Sequence, residues 1–209
     1  MYLPALFRED RLEVQHALIR SHPLGLLISH ASSGLLANLL PFVLKTGDSE
    51  RGVLQAHMAR ANPQWRELDD RQVLVVFRGP DAYVSPSLYA TKRETGKVVP
   101  TWNYVMVQAR GMARVRDQVD WLTPQLNALT AGREAARPQP WAVADAPADY
   151  IEAQKKAIVG LEIEIAALEG KWKVSQNQPE SNRRSVVAGF SQDESTREMA
   201  GLVETYGKL

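Results

Sequence analysis

The chain has 209 residues, of which 44% are hydrophobic and 23% charged, and a formal net charge of +1 at pH 7. That composition describes a soluble globular protein, long enough to bury a core without covalent staples. The absence of cysteine excludes disulfides, thiolate metal sites and a cysteine nucleophile and fits a reducing cytoplasm, while the balanced charge gives no global signature for nucleic acid.

The N-terminal MYLPALFRED lacks a signal-peptide pattern, and no run reaches the roughly 18 apolar residues that would cross a membrane. Asp10–Ser21 predicts a short helix with an acidic start, stopped by His22-Pro23. Two apolar runs, Leu24–Ser29 and Leu35–Lys45, flank a Ser/Gly cluster at Ala31–Gly34 and predict a hairpin. Pro41 marks the second run as bulged or at a sheet edge. Arg51–Ala59 is a third strand, Asn62–Leu68 a short helix, and Gln72–Phe77 a buried strand rich in β-branched residues. After Arg78-Gly79-Pro80 the chain resumes with DAYVSP, and the loop TKRETGK precedes TWNYVMVQARGMARVR. Gly111 inside that run predicts a bulge or a bend.

From Asp117 the pattern turns helical, and Thr123-Pro124 suits an N-cap followed by proline, which gives a late helix start. Arg133–Ala148 reads as a loop and Asp149–Val159 as a helix stopped by Gly160. LEIEIAAL alternates, with Leu161, Ile163 and Ile165 on one face and Glu162 and Glu164 on the other, as in a half-buried strand. One or two helical pieces finish the chain. Many strands, short turns and no regular strand–helix alternation predict a mainly β (α+β) barrel with peripheral helices.

Three constellations stand out. In HMARANPQWREL, Asn62 suits an N-cap and Pro63 the first helical position. Arg60 brings a guanidinium fork to a helix start whose first amides would face outward, an arrangement that holds phosphate without a glycine-rich loop. His57 at the strand end could donate to the same ligand. The alternative is a surface ion pair of Arg60 beside an ordinary helix start. In Ala82–Val105, Tyr83, Tyr89, Trp102 and Tyr104 lie close to Lys92, Arg93 and Lys97. They suit stacking on a planar ring, or equally a barrel or subunit interface. KWKVSQNQPESNRR, Lys171–Arg184, is open between nucleic-acid contact, closure over a ligand in a partner subunit, and a solvated loop. The four histidines have no metal-ligand spacing, and no nucleophile or phosphate-loop motif occurs. No catalytic or metal-binding set is therefore expected.

HMARANPQWREL, FRGPDAYVSPSLY, VVPTWNYVMVQARG and KWKVSQNQPESNRRSVVAGF occur in this order. Together they resemble the PaiB-type family of bacterial negative transcriptional regulators, described as FMN-binding proteins. The resemblance runs to about Phe190. It implies a split β-barrel over residues 1–190 with a helical tail over 191–209, a cytoplasmic homodimer with FMN in a groove between subunits, and no membrane partner. Carried over onto this chain, the phosphate and ribityl contacts are His57, Met58, Ala59, Arg60 and Asn62, with Asn38 facing the same groove. Thr101, Trp102 and Asn103 would serve the ring, with Lys173 and Gln176 nearby. The resemblance implies a repressor, acting directly or through a partner; the sequence shows no helix-turn-helix with a basic recognition helix, and the basic stretches Lys92–Lys97 and Lys171–Arg184 are the local candidates for DNA contact. An FMN-dependent oxidoreductase and a haem-binding split barrel are its alternatives.

Overall fold

The computed structural model describes residues 1–47 and 49–209. A 3-10 turn at Ala5–Phe7 leads into β1 (Arg8–Glu9) and α1 (Leu12–Ser21), followed by β2 (Leu24–Ala31), β3 (Gly34–Pro41), β4 (Val43–Lys45) and β5 (Val53–Ala59). Next come β6 (Arg71–Val84), α2 (Lys92–Thr95), β7 (Thr101–Arg116), α3 (Val119–Glu134) and α4 (Ala148–Lys156). The chain closes with β8 (Ile158–Lys173), α5 (Glu180–Phe190) and α6 (Arg197–Gly207). Hydrogen-bonded neighbours follow the order β3-β2-β6-β7-β8-β5-β4, with β1 paired to β8. The fold is mainly antiparallel β with peripheral helices, as the strand count and turn spacing predict.

The chain divides into two compact units. One, called here unit 1, comprises Met1–Leu18, Arg78–Val107 and Glu169–Leu209; unit 2 comprises Ile19–Phe77 and Gln108–Leu168. In unit 2 the predicted hairpin forms over Leu24↔Pro41 to Ala31↔Gly34, and its two-residue turn ends on Gly34 at φ 110°. Glycine is the residue that reaches that angle without strain. Pro41 ends β3, and β3 lies at the end of the strand order, where a missing N–H costs no ladder bond. The core of this unit is the inward half of each alternating strand: Leu27, Leu54, Val75, Phe77, Leu161 and Ile163 are all nearly or wholly inaccessible. Phe42 meets Phe77 edge-on at 5.7 Å, a favoured aromatic geometry.

Unit 1 is built around the N-terminal segment, the tips of the long strands and the last two helices. Val84, Val105, Trp172, Val186, Phe190, Met199 and Val203 are buried there. The buried Glu9 carboxylate takes two bonds from the Arg11 guanidinium and one from Tyr206 Oη, tying the C-terminal helix to β1. Burial pushes Glu9 up, but those bonds outweigh it and hold the carboxyl below its ordinary range.

Several elements differ from the sequence expectation. QVLVVF does not stop at Arg78-Gly79-Pro80; β6 runs through them for 14 residues. Gly79 has no room for a Cβ, because Leu18 and Val105 side chains press on it. α3 starts at Val119 rather than at Thr123-Pro124, with Asp120 in its first turn and Pro124 inside the helix. Gly160 does not stop α4; it lies inside β8, under the indole of Trp121. TKRETGK contains the short α2, closed by Gly96 in the left-handed region. KWKVSQNQPESNRR is the end of β8, a turn through Ser175 and the start of α5 rather than a solvated loop.

Gly111 sits in a continuous strand, and its role is close approach: a Cβ there would overlap the carbonyl oxygen of Glu164 on β8 and crowd Ile163. Gly132 in α3 has open space in the same direction. Gly111→Ala should lower stability by about 3 kcal/mol, the upper range for overpacking. Gly132→Ala should raise it by roughly 0.5 kcal/mol through helix propensity. Paired chemical denaturation of the two variants checks both signs.

Candidate functional site

The expected phosphate turn lies wholly in unit 2, between β5 and β6. His57 faces outward on β5, opposite Gly160 of β8, and its Nδ1 is 2.9 Å from Gln125 Oε1 on α3. With Oε1 as acceptor, His57 carries its proton on Nδ1, so Nε2 accepts when the ring is neutral and donates when it is protonated. Gln125 Nε2 is buried with no hydrogen-bond partner among the described residues. Asn62 caps a five-residue 3-10 helix, Pro63–Glu67, by accepting from the Gln64 amide. Gln64, 1% exposed, is a hub: its Oε1 accepts from Asn38 Nδ2 at 2.9 Å, and its Nε2 donates to Ser29 Oγ at 2.9 Å. Asn38, Asn62 and Gln64 are thus held by one connected polar network with Ser29, and His57 by a separate bond to Gln125, which fixes their geometry ahead of any ligand.

Two features differ from the expected phosphate cradle. The Arg60 guanidinium is already engaged: Nη2 is 2.5 Å from Asp117 Oδ1 and 3.1 Å from Ile158 O, and Nε donates to Lys156 O at 2.9 Å. Three amides at the turn are also spent: Arg60 N on Ala157 O, Asn62 N on Ala59 O, Gln64 N on Asn62 Oδ1. A short 3-10 helix with a paired start offers little of the field that a longer helix would. Asp117 is held below its ordinary range mainly by the Arg60 bond. The Trp65 indole lies beside Arg60 and Arg66, with the two guanidinium carbons 5.8 and 5.5 Å from the ring, and Nε1 donates to Arg60 O. Met58 is 3% exposed and faces the core, so it presents only its main chain to a ligand; Ala59 is exposed.

The expected ring contacts lie in unit 1, on β7 and the end of β8. Trp102 is 54% exposed and packs edge-on with Tyr83, itself 49% exposed, at 5.8 Å. Lys173 Nζ donates to Thr101 Oγ1 at 2.7 Å and to Trp102 O at 2.5 Å. Burial and the nearby charge of Lys171 together pull Lys173 below the usual lysine range. Lys171 donates to Tyr2 O and lies over the Tyr2 and Tyr104 rings. Neither ammonium has a carboxylate partner among the described residues. Asn103 is fully buried and pairs with Ser175 Oγ, and Gln176 bridges Val174 N and Trp172 O around the turn at Ser175, φ 67°. Those two amides position the strand end.

Sequence reasoning missed Gln64, Gln125 and Asp117, and named Lys171 only as part of the basic stretch Lys171–Arg184. Gln64 had a signal in Asn-Pro-Gln-Trp, where a buried amide follows the cap. Asp117 and Gln125 had none, since both reach the turn only through the fold. No group of three or more potential metal-ligating side chains forms among the described residues. Glu162 is a structural acid: burial raises it, but Arg116 and Gln55 outweigh that and hold it low.

Comparison with known proteins bears on this arrangement. The family described as "Putative FMN-binding domain" matches residues 1–167. A relative from Emericella nidulans, itself uncharacterised, is 38% identical, with 91% of this chain and 90% of that protein covered. The "Protease synthase and sporulation protein PAI 2" of Bacillus subtilis is 29% identical over 98% of this chain and 97% of its own length. Among solved structures, the FAD and heme binding protein of Mycobacterium smegmatis superimposes with a TM-score of 0.59 at 20% identity, covering 79% of this chain and 73% of that one. The fold is the split β-barrel of such flavin-binding neighbours. Four fifths of the sequence matches one family model over a continuous stretch, and the chain belongs to that FMN-binding domain family.

Proposed function

We propose that this protein binds FMN as a homodimer and works as a PaiB-type negative regulator of transcription. The observation that carries the cofactor is the donor set of unit 1: exposed Trp102 for a flat ring, with Thr101 beside it and two lysines, Lys171 and Lys173, that have no carboxylate partner among the described residues. That chemistry suits a planar anion, and the family match supports the choice of FMN. Bound FMN would supply redox chemistry at its isoalloxazine. Trp102 would stack, Thr101 and Lys173 would fix orientation, and Lys173 would neutralise negative charge. At the turn after β5, His57 offers Nε2, which has no partner among the described residues, whereas Arg60 serves a phosphate only by exchanging Asp117 for it.

Freshly purified protein should show flavin absorption near about 370 and 450 nm; a Soret band in its place would assign the protein to haem. Lys173→Gln should weaken FMN binding about tenfold, the scale of one charge-assisted bond. Asp117→Asn should strengthen it several-fold if the phosphate recruits Arg60. Titrations in which Asp117→Asn and Arg60→Ala both leave the affinity unchanged would remove that turn from the site.

A second copy is supported by one face of the β2–β3 hairpin. Leu24, Leu35 and Leu39 are 56, 76 and 59% exposed, and the register aligns Leu39 with Leu26 and Ala37 with Ile28. An apolar sheet face of this kind on a terminal strand is normally covered. Light scattering should give a dimer mass for the native protein and a monomer mass for Leu35→Glu/Leu39→Glu.

Regulation through a protein or redox partner has better physical support than direct DNA reading. α6, the second of two consecutive helices, sets Glu198 and Glu204 against Arg197, so phosphates would be repelled from it. Gel shifts with genomic fragments at two salt concentrations decide: binding that weakens steeply with salt establishes direct contact, whereas no shift at either salt concentration argues for a partner-mediated role or for an FMN-dependent enzyme.

A further inference from the structure

The cations at the end of β8 are incompletely answered by the protein itself. An ammonium carries three donors. Lys173 uses two of them, on Thr101 Oγ1 and Trp102 O, which fixes the group beside the indole and leaves one N–H and the whole charge over. Lys171, two positions earlier on the same face of the strand, donates to Tyr2 O and lies 5.5 and 5.4 Å from the centres of the Tyr2 and Tyr104 rings. All of these contacts are to neutral groups. Glu169, the next residue along that face, is paired with the Met1 ammonium at 3.0 Å. Neither lysine has a carboxylate partner among the described residues.

Two like charges in partly desolvated surroundings act on a third charge more strongly than they would in water. Burial, and then the charge of Lys171, already pull Lys173 below the usual lysine range, which marks a place short of negative charge. A neutral ring lying on the exposed Trp102 leaves that deficit as it is, whereas an anionic ring removes it. The isoalloxazine of FMN offers both cases. It is uncharged when oxidised, and two electrons with one proton leave it with one negative charge at about pH 8. Contacts that favour one of two states shift the balance between them by the difference in affinity. A phosphate has the same charge in both redox states, so lysines serving only the phosphate would favour neither.

We propose that unit 1 holds the reduced isoalloxazine more tightly than the oxidised one, with Lys173 and Lys171 raising the potential of the bound flavin and making the loaded protein an electron acceptor. The inference rests on the flavin reading above and adds the redox state that the site prefers. Two electrons and one proton enter the ring from an external donor, an electrode in the test below, and no bond to the protein forms or breaks.

Spectroelectrochemical titration of the full-length protein loaded with FMN, at about pH 8, reads this directly. The midpoint should lie at least ~30 mV above that of free FMN, which for two electrons is an about tenfold tighter hold on the reduced ring. Lys173→Gln should weaken the reduced form about tenfold more than the oxidised form and lower the midpoint by ~30 mV. Lys173→Arg keeps the charge and should leave the ratio within about twofold, or ~10 mV. A midpoint at or below that of free FMN overturns the proposal. So does equal weakening of both forms by Lys173→Gln, which assigns the lysine to the phosphate. Protein that takes up no FMN, and so shows no visible absorption, overturns the flavin reading itself and this inference with it.

Discussion

One arginine holds the end of β5 to the start of β8. The Arg60 amide bonds Ala157 O, while its side chain takes Lys156 O, Ile158 O and the Asp117 carboxylate. The carbonyls left open where α4 ends are thereby satisfied, and the β5–β8 ladder from Ala59↔Ile158 onward begins in register. The guanidinium works as a clasp within unit 2 before it can work as a receptor. An incoming dianion must compete with an ion pair already formed at short range. Because Arg60 and Asp117 are both well exposed, that pair is weak enough to exchange.

Unit 1 presents the opposite electrostatics. Lys171 and Lys173 lie two positions apart on one strand, and Lys173 is partly desolvated and repelled by its neighbour. Their bonds go to carbonyl and hydroxyl oxygens and aromatic faces, none of which cancels a full charge. The unit keeps a surplus of positive potential beside an exposed indole. In unit 2 the comparable cation is spent. A nearly neutral chain therefore still contains sharply different local fields, which the net charge of +1 conceals.

Much of the architecture was legible in the sequence because it follows from local periodicity. The hairpin, the cap at Asn62 and the alternation of Leu161, Ile163 and Ile165 depend on neighbouring residues alone. What failed were boundaries where tertiary packing overrides punctuation. Gly79, Gly111 and Gly160 read as breaks, yet each sits within a strand because another element comes too close for a side chain. Pro124 reads as a helix start, yet α3 begins five residues earlier. The resemblance pointed to the polar turn and the aromatic strand as the expected site. It could not show that Asn103 and Gln176 are consumed in holding β8, or that Asp117, remote in sequence, already occupies Arg60.

The indole of Trp65 carries a consequence of its own. With both guanidinium groups near its ring and its N–H on the Arg60 carbonyl, it is an optical gauge built into the clasp. Any event that draws Arg60 away changes the charge beside the chromophore and shifts its emission. A variant that keeps Trp65 as its sole indole would report the opening of that clasp in real time, with no label attached.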